Sequence, residues 1–375
     1  MDNILTYIKW RGDIQFDERS FNDVDALIFA TLAYAEWDGI VGNGEITLSN
    51  ASQQFMLSED RIHDAKRYAY SPEVPVLVGK MIHANRYKNV IIKNYKSIFN
   101  KDEEVQFAAV TFVLEDGTSI IAYRGTDSSI LGWKEDFHMT YKEEIPAQKY
   151  ALTYFKEMLP LKEKKKWFSF KTKKEKALYL VGHSKGGNLA MYTAIKASEA
   201  HSQITRVYNF DGPGFLKSFY DKNDVSKILS KIKMYLPSAS IIGRLLEHKE
   251  EHIVIEGYDS GLMQHSAFRW QVKKDGFVKA DALKPSSDSY IAYIDKVLLS
   301  KSDAQKEKLI SAVFSALEKL NIDEIGDMGE LSLKQALDSV KEFGLMSNED
   351  KRFFLDCLRF IMTQTKNMIF TKKVK

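Results

Sequence analysis

Ser184 stands within Gly182-His183-Ser184-Lys185-Gly186-Gly187, a serine with glycine two places before it and two places after it. A sharp strand-to-helix turn that lifts one hydroxyl above a sheet edge needs that spacing, because the turn leaves no room for side chains at the flanking positions. The chemistry such a turn serves is acyl transfer: the hydroxyl attacks a carbonyl carbon while a base takes its proton and amide hydrogens receive the oxyanion. At average glycine and serine usage the pattern arises by chance in about one chain in ten of this length, so its setting matters. Here an apolar run, Ala177-Leu178-Tyr179-Leu180-Val181, leads into it, and the helix-forming stretch Asn188 to Lys196 follows. Strand, turn and helix occur in the order the motif requires.

A serine hydroxyl is a poor nucleophile at neutral pH, so the site needs a histidine and a group to hold its tautomer. In hydrolases built on this turn, these residues follow the serine in the order acid, then histidine. Of eight histidines, His201, His248, His252 and His265 lie after Ser184. His201 sits in a polar segment before the next apolar run, and His248 and His252 flank a charged one. His265 follows the last apolar run and the turn Gly257 to Gly261, a loop position from which a base reaches back over the sheet edge; the plainer reading is a loop histidine. For the acid, Asp211 directly follows the run Arg206 to Phe210, at the carboxyl end where catalytic groups of open sheets collect. Its plainer reading is a turn initiator in Asp211-Gly212-Pro213-Gly214, and Asp259 is held in reserve. The oxyanion donors expected are the backbone N–H of Lys185 and that of Thr126 in Tyr123-Arg124-Gly125-Thr126, with or without the Thr126 hydroxyl.

These residues need a sheet to hold them. Residues 105–123 alternate and run apolar around Glu115-Asp116-Gly117-Thr118, which predicts two antiparallel strands joined by a tight turn. A helix is predicted from Pro146 to Leu159, between Thr126 and the Ser184 strand, which makes a βαβ crossover. Further strands are predicted at 206–210, 232–236 and 252–255, and a hairpin at Phe268–Val272 and Phe277–Val278 about Asp275-Gly276. Helices at 22–37 and 58–70 precede them. The fold class read from this order is α/β, a mostly parallel sheet with helices on both faces. Beyond Pro285 the chain turns to helix formers, with apolar spacing at 303–320, 331–343 and 348–368 and a Ser347/Asp350 cap. The division expected is a catalytic domain at 1–285, including the N-terminal helices, and a helical extension at 286–375.

Composition narrows the rest. With 375 residues, 44% of them hydrophobic, the chain can bury a substantial core. Its 54 basic against 51 acidic residues leave a formal charge of +3, which gives no reason to expect nucleic acid as a partner. The single cysteine, Cys357, excludes an internal disulfide and a cysteine-based metal site; helical spacing puts it in a core. The motifs call for no cofactor and no metal. The N-terminus lacks the basic and apolar regions of a secretory leader, so a cytoplasmic protein is expected. Lysines interleaved with Trp167, Phe168 and Phe170 crowd residues 162–176: one reading is a peripheral contact with an anionic membrane, the plainer one a solvated insertion. Ser128 to Glu144, with Trp133 and Phe137, is the stretch placed to flank or cover the serine.

Tyr123-Arg124-Gly125-Thr126, then Trp133 and Asp136, then Gly182 to Gly187, resemble in spacing and order the motifs of class-three triacylglycerol lipases of the α/β-hydrolase fold. The chain as a whole, over roughly residues 1–320, resembles a group of bacterial lipase-like proteins of unknown function, the Mbeg-like group. The residues that carry this likeness are Phe21-Asn22-Asp23-Val24-Asp25, Asn209 to Gly214, Ser240 to Gly243, and Gln264-His265 with Trp270. The resemblance implies Ser184 as nucleophile, His265 as base and Thr126 as oxyanion residue. In one respect the chain departs from it: class-three lipases usually keep their acid one strand later, where this chain has Ser240. The expectation is therefore a serine hydrolase of carboxylic esters, acting on a small-molecule or lipid ester through an acyl-enzyme. Thioester and amide cleavage use the same groups. The rival reading is a catalytically silent α/β-hydrolase fold that serves as a scaffold or membrane-associated binding protein.

Overall fold

The computed structural model describes residues 1–42, 44–68 (side chains to 63), 71–159, 176–285, 288, 291–292, 301–324 and 347–357. Its centre is an eight-stranded sheet whose strands lie side by side in chain order. They are β1 (Ile46–Thr47), β2 (Ile91–Asn100), β3 (Val105–Val113), β4 (Ser119–Tyr123), β5 (Leu178–His183), β6 (Arg206–Phe210), β7 (Ile232–Pro237) and β8 (His252–Ile255). β1 to β4 pair antiparallel, and β4 to β8 pair parallel. The Asp116-Gly117 turn closes the β3–β4 hairpin, with the Gly117 N–H on the Leu114 carbonyl at 2.8 Å and Gly117 at φ +83°. In the parallel half the register matches Tyr123 to Gly182, and His183 to Phe210. Thr126, Ser184, Asp211 and Ser240 therefore all leave the sheet at one edge, the carboxyl end of their strands.

Both faces of the sheet are covered, which is why its central strands read as continuous apolar runs. Ile120, Ala122, Val181 and Phe210 share a core with the N-terminal helices Ile4–Arg11, Asp23–Leu32, Leu48–Met56 and Val74–Met81. Ile121, Tyr123, Leu180 and Val207 turn the other way, onto the helices Pro146–Met158 and Lys185–Lys196. This is the α/β layering that the order of elements predicts, and the α/β-hydrolase fold that the resemblance implies. Asn22 caps the Asp23–Leu32 helix, its side chain accepting from the N–H groups of Val24 and Asp25. Asp25 also holds buried Arg86 at 2.6 Å, which fastens this helix to the chain that enters β2.

Among the described C-terminal residues, the helix Asp303–Lys319 packs on the helix Ile130–His138. Phe314 meets Phe137 edge-on at 5.6 Å, and Ile130 N–H donates to the Asp323 carbonyl at 2.9 Å. Trp133 packs in the same cluster, and buried Cys357 belongs to it, as its spacing predicts. The cap at Ser347 forms, its hydroxyl accepting from Asp350 N–H at 3.1 Å. The lysine-aromatic segment up to residue 175, the helix predicted at 331–343 and the chain from 358 onward lie outside the described residues. Among those described, no helix is long and apolar enough to cross a membrane.

Several elements differ from the sequence reading: the helix expected at 22–37 ends at Leu32, and the helices Leu48–Met56 and Val74–Met81 were not expected. β2 is a ten-residue strand in a stretch that gave no clear strand signal: its register shifts between Lys93 and Lys96, and Asn94 sits at φ +55°, which breaks the alternation. The hairpin predicted from Phe268 is shorter, pairing only Val272–Lys273 with Gly276–Phe277. Ala267–Arg269 coils as a 3₁₀ turn instead, which lets the Trp270 indole N–H donate to the Gln264 carbonyl at 2.8 Å.

Candidate active site

β5 delivers Ser184 into a backbone conformation of φ +58° and ψ −134°. L-residues rarely adopt a positive φ, and holding one there costs about 1–3 kcal/mol, which the surrounding structure must supply. It does so from two sides: Ser184 N–H donates to the Phe210 carbonyl at 2.9 Å, and the Ser184 carbonyl accepts from Gly187 N–H at 2.8 Å. The glycines are required by contact. A Cβ on Gly182 would lie 2.0 Å from the Gly186 carbonyl oxygen, and one on Gly186 would lie 2.2 Å from that of Tyr123. The helix Lys185–Lys196 begins at once, so the N–H of Lys185 belongs to a first turn whose donors have no acceptor within the helix.

Asp211 follows β6 at φ +54° and is 0% exposed. Its Oδ2 accepts from His265 Nδ1 at 2.7 Å, and its Oδ1 accepts from Ser240 Oγ at 2.5 Å and from Gly243 N–H at 3.2 Å. Ser240, at the end of the next strand, thus donates to Asp211. Asp259, the reserve candidate, is elsewhere: its carboxylate is 41% exposed and lies 3.5 Å from Arg269 Nε. Of the other histidines after the serine, His201 meets the Ala194 carbonyl at 2.9 Å and His248 meets Glu250 at 2.7 Å, while His252 is exposed at the start of β8.

His265 ends a short 3₁₀ turn, Gly261–His265, on the loop after β8. Buried Gln264 ties that loop down. Its amide donates to the Gly257 and Asp259 carbonyls at 3.0 Å each and accepts from Ala239 N–H, just past β7, at 2.7 Å. A second tie comes from His183, next to the serine: its Nε2 meets the His265 carbonyl at 2.7 Å, and the two rings lie 4.7 Å apart. The serine and His265 are thus linked through their immediate neighbours.

The β4 loop closes the other side. A Cβ on Gly125 would lie 3.1 Å from that of Ser184 and 2.1 Å from Tyr34 Oη, so this backbone runs directly against the elbow. Thr126 comes next, and its hydroxyl donates to Asp136 Oδ2 at 2.6 Å. With that hydroxyl engaged, the donor left on Thr126 is its backbone N–H. Burial pushes the Asp136 carboxyl up to about 6, against the opposing pull of Lys185.

Lys185 contributes more than an amide. Its ammonium is buried and donates to Glu135 Oε2 at 2.9 Å and to the Gln106 side chain and carbonyl at 2.8 and 3.0 Å, with Asp136 at 3.7 Å. The attraction of Glu135 and Asp136 outweighs desolvation and raises the lysine above its ordinary range. Reading the sequence missed this pair, and also Tyr34 and the role of His183. A lysine inside the elbow motif was the one visible signal.

An eight-stranded, two-sided sheet with a serine elbow at the carboxyl end of its fifth strand defines an α/β-hydrolase-fold protein. The chain belongs to the Mbeg1-like family, whose family model matches residues 81–315, well over half of its length. No curated protein matches it. Among solved structures, a crystal structure of M37 lipase is similar with a TM-score of 0.35 at 16% identity, covering 60% of this chain and 70% of that one.

Proposed function

We propose that this protein is a serine hydrolase that cleaves carboxylic esters, with Ser184 as nucleophile, His265 as general base and Asp211 as the acid that holds the base. The observation that carries this reading is the 2.7 Å contact of His265 Nδ1 with buried Asp211, on a loop tied to the residue beside Ser184. With its Nδ1 proton committed to the carboxylate, the imidazole takes a proton at Nε2, the form a base needs. Ser184 attacks the acyl carbon, His265 accepts the hydroxyl proton and then passes it to the leaving alcohol, and a water repeats the sequence to release the acid. The N–H groups of Thr126 and Lys185 receive the oxyanion; removing one such donor typically costs 10²- to 10³-fold in turnover. None of these steps needs a cofactor.

The displaced acid and the helical extension motivate the silent-scaffold reading, and the contact of Asp211 with His265 favours the enzyme. Chromogenic esters of graded acyl length test the proposal. Turnover by the wild type that is lost in Ser184→Ala supports it and ranks the acyl chains, whereas equal release by both proteins would refute it.

A further inference from the structure

His183 has no step in the reaction proposed above, yet its ring is buried at the centre of the site. Its two nitrogens have different partners: Nε2 lies 2.7 Å from the His265 carbonyl oxygen and Nδ1 lies 3.0 Å from Tyr34 Oη. A carbonyl only accepts, so Nε2 carries the proton, and in a neutral ring Nδ1 is then the acceptor for the Tyr34 hydroxyl. Burial, with the neighbouring His265 adding to it, holds the ring neutral, well below the ordinary histidine range. The ring also meets Trp270 edge-on at 6.2 Å. Tyr34 is buried and comes from the segment just after the Asp23–Leu32 helix, ahead of the residues that the family model matches.

From this geometry we infer that His183 is a positioning residue for His265, a fixed neutral donor that Tyr34 orients and that pins the main chain of the base while Asp211 pins its ring. The inference rests on the hydrolase reading. A base on a 3₁₀ turn can swing at its backbone even when its ring is held, and a misplacement of about 1 Å can cost 10²-fold. Gln264 fixes the loop to the end of β7, whereas His183 fixes it to the strand that carries the nucleophile. One hydrogen bond then sets the base against the serine, with a single peptide unit between His183 and Ser184. The His265 carbonyl sets which nitrogen of His183 bears the proton; Tyr34, on Nδ1 at 3.0 Å and 3.3 Å from the His183 carbonyl oxygen, holds the ring against turning, and without its hydroxyl the ring can rotate and carry its Nε2 donor off the His265 carbonyl. The neutrality of the ring matters too, because a second imidazolium at 4.7 Å would oppose protonation of the base.

The test compares His183→Phe, His183→Gln and Tyr34→Phe with the wild type. The readouts are ester kcat and KM across pH, the rate of Ser184 labelling by a fluorophosphonate, and thermal melting. His183→Phe is expected to lower kcat about 10- to 100-fold with KM within about twofold. His183→Gln, whose amide can donate where Nε2 does, is expected to recover about tenfold of that loss. Tyr34→Phe is expected to lose about three- to tenfold in kcat while staying folded, and it carries the test alone should His183→Phe unfold. Folded His183→Phe with wild-type labelling and kcat, no recovery by His183→Gln, or an unaffected Tyr34→Phe would each overturn the inference. Wild-type protein that takes no label would overturn the hydrolase reading instead, and this inference with it.

Discussion

Replacing Asp211 by asparagine disturbs the site through the side chain that holds His265. The carboxylate takes three hydrogen bonds in a fully buried position, from His265 Nδ1, Ser240 Oγ and Gly243 N–H. Asparagine keeps the shape but offers one acceptor oxygen and one donor group. If its oxygen stays with Ser240 and Gly243, the NH₂ faces His265 Nδ1 and drives the imidazole proton to Nε2, the tautomer that cannot accept a proton from the serine. If the amide turns over, its NH₂ meets the Gly243 N–H, and a buried donor is left unsatisfied at a cost of about 1–3 kcal/mol. The first arrangement is the cheaper, so the variant folds with the wrong tautomer. In the serine protease triad that error costs about 10⁴ in kcat, which converts to about 5 kcal/mol of transition-state stabilisation. The assay is ester kcat for Asp211→Asn and Asp259→Asn, each with a melting curve. Asp259→Asn, at an exposed carboxylate paired with Arg269, is expected within about twofold of wild type. Near-wild-type turnover by Asp211→Asn, or an equal loss in both variants, would refute the reasoning.

Other expected outcomes follow from the same contacts. Gly186→Ala places a methyl group 2.2 Å from the Tyr123 carbonyl oxygen, a backbone atom that cannot step aside, so a stability loss of about 3 kcal/mol or more is expected in urea titration; an unchanged midpoint would contradict it. Lys185→Met leaves buried Glu135 without its cation and should cost about 3–5 kcal/mol, much of it recovered in the double variant Lys185→Met/Glu135→Gln, measured by the same titration. For Asp136, folding raises the carboxyl from 3.8 to about 6, so the native state binds its proton more tightly than the unfolded chain. Its stabilising contribution is complete below about pH 4 and is lost as pH rises through 6. Asp136→Asn keeps a neutral side chain throughout, so its stability relative to wild type should grow across that window, with a pH-independent difference as the contrary result.

Much of the architecture was written in local chemistry. Each parallel strand after Ser184 is an apolar run bounded by turn residues, and the Pro146 start, the Asp116-Gly117 turn and the Asn22 cap are backbone requirements that a sequence displays directly. β2 was hidden because a bulge at Asn94 disrupts its period and its far half is partly exposed. Within the site, Ser184 and the flanking glycines were legible from sterics alone, and His265 and Asp211 from their places at strand ends. What stayed hidden depends on distance along the chain. Tyr34 reads as one more apolar residue near a helix end, and only folding brings its hydroxyl to His183, 149 positions later. The Lys185–Glu135 pair was concealed for a related reason, because each charge alone looks like a solvated surface residue until the fold buries both.

The central claim is that the Ser184 hydroxyl reacts with an acyl centre because an oriented imidazole stands beside it. Incubating the folded wild type, Ser184→Ala and His265→Ala with a fluorophosphonate, followed by mass spectrometry of the digested protein, tests this most directly. The account predicts one adduct, on the peptide that contains Ser184, absent from Ser184→Ala and formed much more slowly in His265→Ala. No adduct on the wild type, or an adduct at another residue that survives Ser184→Ala, would contradict it.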